Sequence, residues 1–355
     1  MSGFGERFRK AGYDVPKPLI EVDGKPIIQH VVEMFPGEKD IVFICNKDHL
    51  QESEYRMRET LESIVPSGRI IGIDPHKLGP VHAVLQAIEQ LDLEKETIVN
   101  YADFTCDWNY KDFFNMVEET KCDGAIPCYR GFHPHTLWSN YYAYVREDSM
   151  RAWDIEEKTP FTDFPREEFA SSGTYYFRTG KLMQQYFERC VLEDLTVSGE
   201  YYVSMVYKPM MQDGLNIQIY ELEHFMQWGT PSDLEEYCYW SKTFNSILNE
   251  QEPPKQSGAL ILPMVGAGSR FQKEGYKTPK PLIQVSGRPM AVQALAHLPK
   301  TERQKFVLRK DLLGIDQLKE ALRKQSKTAE FTELDYMTDG QATTCVEGAN
   351  GLEID

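Results

Sequence analysis

A stretch of 26 residues occurs twice in this chain of 355 residues, and the repeat restricts the folds that the chain can adopt. Residues 1–26 and 264–289 are identical at 16 positions and align without a gap. The shared positions are not only apolar. In the first copy they include Gly3, Gly5, Arg7 and Lys17, the last of which lies between two prolines. The repeat therefore predicts two related units, each with a loop that has a chemical role.

The residue types in this loop are those that bind a polyphosphate. Glycines allow backbone N–H groups to approach phosphate oxygens, and the start of a following helix adds its dipole. An arginine offers paired hydrogen bonds to phosphate oxygens, whereas a lysine acts as a point charge. We therefore predict a polyphosphate site at Gly3, Phe4 and Gly5, with Arg7 and Lys17 as its charged contacts. The spacing matches neither the dinucleotide motif G-x-G-x-x-G nor the Walker motif.

The opening motif, G-x-G-x-R-F followed by P-K-P-L-I, resembles that of the sugar-1-phosphate nucleotidyltransferases, also called nucleotide-sugar pyrophosphorylases. Gly79, in HKLGP, lies where that family has a loop over the nucleotide base. Asp103 follows a β-rich run, where the family has an aspartate that binds the nucleotide's metal ion; the resemblance thus implies Mg²⁺ as cofactor. Lys158, in EEKTP, resembles the family's lysine that meets the sugar phosphate. The resemblance makes Arg7, Lys17 and Lys158 the candidate catalytic residues.

Three later segments extend the resemblance to the acceptor side. The segment SGTYYF resembles the family's sugar-pocket strand, which implies that Gly173 contacts the acceptor. Glu200 precedes a predicted helix and either accepts hydrogen bonds from sugar hydroxyls or only favours the helix dipole. The segment QWGTP resembles the family's late Gly-Thr-Pro turn. Gln227 stands there in place of the family's usual second metal-binding aspartate, and a neutral amide binds Mg²⁺ more weakly than a carboxylate.

The resemblance implies that a phosphate oxygen of a sugar-1-phosphate attacks the α-phosphorus of a nucleoside triphosphate, giving a nucleotide sugar and pyrophosphate. Surface polysaccharide synthesis is the expected use of the product. CTP, UTP and dTTP all remain open as the nucleotide. Two alternatives also remain open: a phosphocholine-type cytidylyltransferase, with Trp138, Tyr141, Tyr142 and Tyr144 near a quaternary ammonium, and a catalytically weak binding or regulatory subunit. A glycosyltransferase is less well supported, because no Asp-x-Asp pair ends at Asp103.

Short apolar runs alternate with helical stretches over the first two thirds of the chain. The runs at 40–45 and 69–73 are typical of buried strands, and those at 55–64 and 81–91 of helices. This alternation predicts a Rossmann-like α/β fold, with a mostly parallel sheet flanked by helices, as in nucleotidyltransferases and GT-A-like proteins. We predict one domain over 1–248, a polar, proline-containing linker over 249–258 and a partial second domain over 259–355.

Both copies are predicted to be incomplete. The second glycine loop follows a predicted strand at 259–263, but the first copy begins at its loop, so a central strand would be missing there. Asp103 follows Gly79 by 24 residues (103 − 79), and the same spacing from Gly340 gives position 364, beyond Asp355. We therefore expect a fragment of a longer tandem protein, or one with a misplaced start, whose second copy cannot catalyse alone. A degenerate second copy kept for packing is the alternative.

Charge and cysteine usage limit the partners and the compartment. A formal net charge of −16 argues against a nucleic-acid surface, which requires a basic face. Anionic substrates must then be attracted locally, by Arg7, Lys17 and Lys158. Seven cysteines without a C-x-x-C pair, no signal peptide and no apolar run near 18 residues predict a cytoplasmic protein with no membrane span. A homo-oligomer is compatible with the sequence.

Overall fold

The computed structural model describes residues 1–133, 142–249 and 256–352. The chain forms two compact units, Met1–Asn245 and Ser246–Asp355. Within the described ranges, no helix combines the length and apolar character needed to cross a membrane. Trp138 and Tyr141, predicted near a quaternary ammonium, lie outside the described residues, as does most of the predicted linker.

The first unit contains strands and helices that alternate over most of its length. Its strands are Glu21–Val22 (β1), Lys25–Pro26 (β2), Val42–Asn46 (β3), Arg69–Ile73 (β4), Thr97–Asn100 (β5), Phe104–Asp107 (β6), Gly124–Tyr129 (β7), Ala143–Asp148 (β8), Arg151–Glu157 (β9), Phe169–Ser171 (β10), Thr174–Phe177 (β11), Ile217–Glu221 (β12) and His224–Gln227 (β13). The helices that begin in it are Glu6–Lys10 (α1), Ile27–Glu33 (α2), Lys47–Gln51 (α3), Met57–Ile64 (α4), Pro80–Ala87 (α5), Tyr110–Thr120 (α6), Gly180–Leu192 (α7), Val203–Gln212 (α8) and Pro231–Leu248 (α9). Short 3₁₀ turns cover Lys17–Leu19, Ser53–Tyr55 and Ile88–Gln90.

The predicted α/β class is confirmed, but strand directions differ from the prediction. The main sheet has the order β10-β8-β9-β12-β7-β11-β5, and among its described pairings only β7 with β12 is parallel. Strands β3 and β4 form a separate parallel pair. The reason is local: β8 and β9 are joined by Ser149 and Met150, both with positive φ (53° and 69°). Such a two-residue turn forces an antiparallel hairpin, whereas parallel neighbours need a long crossover.

Two apolar clusters position the parts of the first unit. The larger cluster lies between the main sheet and helices α7 and α8, with Phe177, Phe187 and Tyr207 fully buried. A second cluster contains Phe8 from α1 and Trp228 from the turn after β13. Because both side chains belong to one core, the glycine loop and the Gly-Thr-Pro turn are held close together although they are distant in sequence.

The second unit contains a parallel sheet of order β14-β17-β18. Its elements are β14 (Gln256–Met264), β15 (Gln284–Val285), β16 (Arg288–Pro289), β17 (Thr301–Arg309), β18 (Ala329–Leu334), α10 (Ser269–Lys273), α11 (Met290–Ala296), α12 (Ile315–Gln325), α13 (Gln341–Ala349) and the 3₁₀ turn Lys280–Leu282. The repeated stretches share backbone geometry: Gly5 and Gly268 both cap a short helix in the left-handed region, with φ of 63° and 66°.

Candidate active site

One cavity of 1260 Å³ in the first unit is lined by all but one of the predicted site residues. The exception is Gln227. The lining residues predicted from sequence are Gly3, Phe4, Gly5, Arg7, Lys17, Gly79, Asp103, Lys158, Gly173 and Glu200. These positions are spread over about 200 residues of sequence, so the fold brings them together.

The glycine loop is fixed at both ends by side-chain contacts. Gly5 begins α1 in a left-handed conformation that a residue with a Cβ adopts only with strain. Phe8, on the same helix, is buried and anchors the loop in the core. The Lys77 Nζ donates to the Glu6 carboxylate at 2.6 Å and lies 5.7 Å from the centroid of the Phe4 ring. Lys77 precedes Gly79 by two residues. It therefore joins the loop that contains Gly79 to the glycine loop.

Lys17 joins the loop to two other segments. Its Nζ donates to Asp103 Oδ2 at 2.8 Å and to the Gly229 carbonyl oxygen at 2.9 Å, and lies 5.0 Å above the Phe8 ring. The Lys17 side chain is 16% exposed and that of Asp103 is 37% exposed. The lysine predicted to hold phosphate and the aspartate predicted to hold metal are therefore ion-paired with each other at the cavity wall.

Gln227 lies beside Asp103 because β13 pairs with β6. Gln227 is the partner of Phe104, and the Trp228 N–H donates to the Asp103 carbonyl oxygen at 2.9 Å. The Gln227 Nε2 donates to Asp233 Oδ1 at 3.0 Å, while its Oε1 is buried and has no partner among the described residues. An unsatisfied buried carbonyl oxygen is costly. The Asp103 carboxylate lines the cavity and is an oxygen donor of the kind that Mg²⁺ binds; the Gln227 oxygen is a candidate second donor, although Gln227 is not among the residues that line the cavity.

Asp233 is a functional candidate that sequence reasoning missed. Its Oδ2 accepts from the Thr230 N–H at 3.0 Å and the Thr230 hydroxyl at 2.7 Å at the start of α9. Thr230 and Asp233 are three residues apart, which is the spacing of a capping pair and was a usable signal. Asp233 also lines the cavity, and therefore places a carboxylate near the position where Gln227 lacks one.

Gly79 makes the closest backbone approach in the site. Its φ is 87°, and a Cβ there would lie 2.7 Å from Tyr201 N and 2.8 Å from Tyr201 O. The Tyr201 N–H donates to the Leu78 carbonyl oxygen at 2.9 Å, and the Val81 N–H donates to the Tyr201 carbonyl oxygen at 3.1 Å. Gly79 therefore allows the backbone of its own loop to form hydrogen bonds with the segment that carries Glu200.

Tyr202 connects Lys158 with Glu200 and was also missed from sequence. Lys158 follows β9 with a left-handed φ of 61°. Its Nζ donates to the Tyr202 hydroxyl at 2.6 Å, and that hydroxyl donates to the Glu200 carboxylate. Burial, with the hydrogen bond to Glu200, raises the pKa of Tyr202, so the phenol remains protonated. The sequence signal that could have identified Tyr202 is its position two residues after the candidate Glu200.

Glu157, next to Lys158, is the buried carboxyl of the site. It is 7% exposed, and Ser204 Oγ donates to its Oε2 at 2.6 Å. Burial raises the pKa of Glu157 to about 6, although the hydrogen bond from Ser204 and the charge of Lys158 lower it. This carboxyl is therefore largely charged at neutral pH, and keeping the charge in a buried position lowers the stability of the fold.

Gly173, predicted to contact the acceptor, forms a tightly packed part of the cavity wall. Its φ is 102°, and a Cβ there would lie 3.0 Å from the rings of Phe104 and Tyr101. Tyr142 lines the cavity and packs against the core cluster in which Tyr144 is buried, and Tyr144 is not among the lining residues. Of the predicted aromatic run, only Tyr142 of the described residues therefore faces the site.

Residues 1–236 match the sequence profile of the family described as Nucleotidyl transferase. The chain belongs to this family. The mannose-1-phosphate guanylyltransferase catalytic subunit beta of Danio rerio is 27% identical over 239 residues, which cover 66% of this chain and 61% of that protein. The UTP–glucose-1-phosphate uridylyltransferase of Haloferax volcanii is 24% identical over 246 residues, which cover 66% of this chain and 91% of that protein.

A solved structure supports the fold. The nucleoside-diphosphate-sugar pyrophosphorylase of Vibrio cholerae superimposes with a TM-score of 0.57 and 20% identity, over 67% of this chain and 98% of that one. The alignment with the Danio rerio protein leaves more than a third of that relative unmatched. The family match over residues 1–236 includes every residue that lines the cavity.

The close approach at Gly79 predicts that Gly79→Ala is more harmful than backbone strain alone explains. Gly214→Ala is the matched control, because Gly214 has a similar φ of 81° and nothing within 4 Å of its Cβ position. We expect a loss of about 1 kcal/mol for Gly214→Ala and at least twice that for Gly79→Ala, with nucleotide binding weakened tenfold or more. Urea unfolding and nucleotide titration measure both. Equal losses of stability and unchanged nucleotide binding would show that the contact with Tyr201 is unimportant.

The raised pKa of Glu157 predicts a pH-dependent stability. The folded-state pKa of about 6 lies above the ordinary value of 4.5. Glu157 therefore contributes fully to the free energy of unfolding below pH 4.5, where it is protonated in both states. This contribution falls by about 2 kcal/mol as pH rises through 6. We expect Glu157→Gln to remove this fall, and exposed Glu167→Gln to retain it. All five tryptophans lie within residues 1–245, so tryptophan fluorescence in urea from pH 4.5 to 8 follows the first unit. A fall retained in Glu157→Gln would refute the assignment.

Proposed function

We propose that this protein transfers a nucleotidyl group from a nucleoside triphosphate to a sugar-1-phosphate, releasing pyrophosphate and forming a nucleotide sugar. The observation that carries the proposal is the single cavity that brings the glycine loop, the Lys17–Asp103 pair and the Lys158–Tyr202–Glu200 chain together. The names of the Danio rerio and Haloferax volcanii relatives support it, because both describe nucleotidyl transfer to a sugar-1-phosphate. We also propose that the nucleotide sugar is used in the synthesis of surface polysaccharide.

The chemistry requires positioning and neutralisation of charge more than a covalent intermediate. A phosphate oxygen of the acceptor forms a bond to the α-phosphorus, and the bond from that phosphorus to the β-phosphate bridging oxygen breaks. Both reactants are anions and repel each other. The protein is proposed to hold the two anions in line and to stabilise the charge that develops on the leaving pyrophosphate.

Arg7, Lys17 and Asp103 are proposed to act at the leaving-group end. Arg7 and Lys17 would contact the phosphates, with the backbone N–H groups of the glycine loop beside them. Asp103 and the buried oxygen of Gln227 would hold Mg²⁺, which neutralises phosphate charge when bound. Because Lys17 is paired with Asp103 in the structure described, a triphosphate or a metal ion entering the site must compete for one of the two partners.

Lys158, Glu200 and Gly173 are proposed to act at the acceptor end. Lys158 would contact the acceptor phosphate, and its Nζ is already held by the Tyr202 hydroxyl. Glu200 would accept hydrogen bonds from sugar hydroxyls while Tyr202 orients its carboxylate. Gly173 would contact the acceptor through its backbone, and its missing Cβ lets the Phe104 and Tyr101 rings pack closely behind it.

The identity of the base is the least determined part of the proposal. CTP, UTP and dTTP are the candidates from sequence, and the Danio rerio relative, named as a guanylyltransferase, adds GTP. The burial of Tyr144 away from the cavity removes part of the argument for phosphocholine as acceptor. The candidates must therefore be screened together.

The neutral side chain of Gln227 favours a second candidate function, a nucleotide-sugar-binding subunit with weak or no catalysis. Gln227 supplies an oxygen but no charge, and its amide nitrogen is bound to Asp233. If the metal binds too weakly, the same cavity would bind nucleotide without turnover. The two candidates differ in one result, pyrophosphate release that depends on the acceptor.

We expect acceptor-dependent pyrophosphate release with Mg²⁺ when the four triphosphates are screened against sugar-1-phosphates and phosphocholine. Lys17→Ala and Asp103→Asn should each lower kcat by about 100-fold or more, because each removes a preorganised charge. The matched control is Lys280→Ala, at the equivalent position of the second repeat, which should leave kcat unchanged. Nucleotide-induced thermal stabilisation without turnover would instead support the binding subunit. An equal loss with Lys280→Ala would contradict the assignment of the site to the first unit.

Gln227→Glu tests the metal position. The new carboxylate lies near Asp103 and Asp233, so repulsion should lower the unfolding temperature in EDTA, and Mg²⁺ should restore it. We expect the Mg²⁺ concentration for half-maximal stabilisation to fall about tenfold relative to the unmodified protein. Gln185→Glu, on an exposed position of α7, should change neither quantity. An Mg²⁺ dependence unchanged in Gln227→Glu would exclude Gln227 from the metal site.

A further inference from the structure

Three side chains of the kinds that bind metal ions lie together outside the cavity, at one end of two paired strands. They are Asp107, which ends β6, His224, which begins β13, and Glu223, which precedes β13. One ligand atom from each side chain lies within 4.8 Å of the other two. All three residues are exposed, and none of them lines the cavity. The cluster is therefore separate from the candidate active site.

The register of β6 and β13 brings the histidine and the aspartate together. The two strands are antiparallel, and His224 is the direct partner of Asp107. Side chains of directly opposite residues extend from the same face of a sheet, with their Cβ atoms about 5 Å apart. Phe104 and Cys106 are buried on the other face of β6, so this pair points away from the core. Backbone pairing therefore positions two of the ligands, and Glu223 is the chain neighbour of one of them.

The two carboxylates of the cluster lie together without a compensating cation. Among the described residues, the side chains of Asp107, Glu223 and His224 form no hydrogen bond and no ion pair. The nearby Glu221 differs, because the Arg130 guanidinium donates to its two carboxylate oxygens at 2.7 and 3.2 Å. Two like charges at close range repel each other, and a bound cation removes the repulsion. The charge distribution at this end of the two strands therefore favours a cation.

The donor atoms distinguish the favoured ion from Mg²⁺. Mg²⁺ and Ca²⁺ prefer oxygen ligands, whereas an imidazole nitrogen suits Zn²⁺ and related transition-metal ions. One imidazole and two carboxylates match zinc sites that have three protein ligands and an open fourth position. Tetrahedral ligands at about 2.1 Å from Zn²⁺ lie about 3.4 Å from one another. Because the three side chains are exposed and not otherwise bound, small rotations are sufficient to reach this spacing.

We propose that Asp107, Glu223 and His224 bind one Zn²⁺ ion. Asp103 precedes the other end of β6, and four residues of extended strand place it about 13 Å from Asp107. The zinc site is therefore distinct from the proposed Mg²⁺ position, and it does not depend on the proposed function. The ion links β6 to β13, which are more than 100 residues apart in sequence. It thereby stabilises the same strand pairing that places Gln227 beside Asp103.

The test is calorimetric titration of the full, reduced chain with Zn²⁺ in a buffer that contains excess Mg²⁺. We expect His224→Gln to weaken Zn²⁺ binding by about 100-fold or more, because loss of an outer-shell partner alone costs about 10–100-fold. The matched control is His297→Gln, at an exposed position of the second unit, which should leave the affinity unchanged. Asp107→His replaces a carboxylate with a second imidazole, and should tighten Zn²⁺ binding about tenfold. Unfolding temperatures in EDTA verify that each variant is folded.

Hydrogen exchange with and without Zn²⁺ locates the ion on the chain. We expect slower exchange in β6 and β13, and we expect this protection to be lost in His224→Gln. An unchanged Zn²⁺ affinity in His224→Gln would overturn the proposal. Protection around His76 and His82, whose ring centroids lie 4.7 Å apart, would assign the ion to that pair instead. Displacement of Zn²⁺ by an equal concentration of Mg²⁺ would show that the imidazole is not a ligand. Since these measurements report binding and exchange, they stand whether or not the chain transfers nucleotides.

Discussion

The ion pair between Lys17 and Asp103 is the interaction on which the geometry of the site depends. Lys17 lies on a 3₁₀ turn held by Pro16, while Asp103 follows the edge strand β5. A third contact, to the carbonyl oxygen of Gly229, ties the same ammonium group to the turn before α9. Three segments from different parts of the chain are therefore joined through one charge. Such a partly buried pair is less screened than a surface pair, and removing one partner leaves the other charge uncompensated.

The sequence predicted the residues whose roles follow from their own backbone. Gly5, Gly79 and Gly173 all have positive φ; a Cβ at Gly79 would collide with the Tyr201 backbone, and one at Gly173 would lie tightly against two aromatic rings. Glycine at such positions is visible in a motif because no other residue is tolerated well. The placement of all three around one cavity followed from the family resemblance.

The residues that escaped prediction act through contacts between distant segments. Tyr202 matters because Lys158, 44 positions earlier, donates to its hydroxyl, and Glu157 because Ser204 donates to its carboxylate. No local pattern encodes such pairs. The direction of the strands escaped for another reason: Ser149 and Met150 lack the Asn-Gly signature of a tight hairpin turn, although both adopt positive φ.

The two glycine loops share their local geometry but differ in the groups that surround them. Lys280 lies 5.6 Å from the Phe271 ring, much as Lys17 lies 5.0 Å from Phe8, and both helices begin at a left-handed glycine. The two copies of the repeated sequence therefore have similar loop conformations. Within the part of the second unit that the structure describes, however, no carboxylate pairs with Lys280, and the cavity beside it measures 270 Å³. The contacts that distinguish Lys17 in the first loop are made with Asp103 and Gly229, which lie outside the repeat. A loop of similar conformation is therefore only one part of such a site, and the segment that brings a carboxylate to the lysine supplies another part.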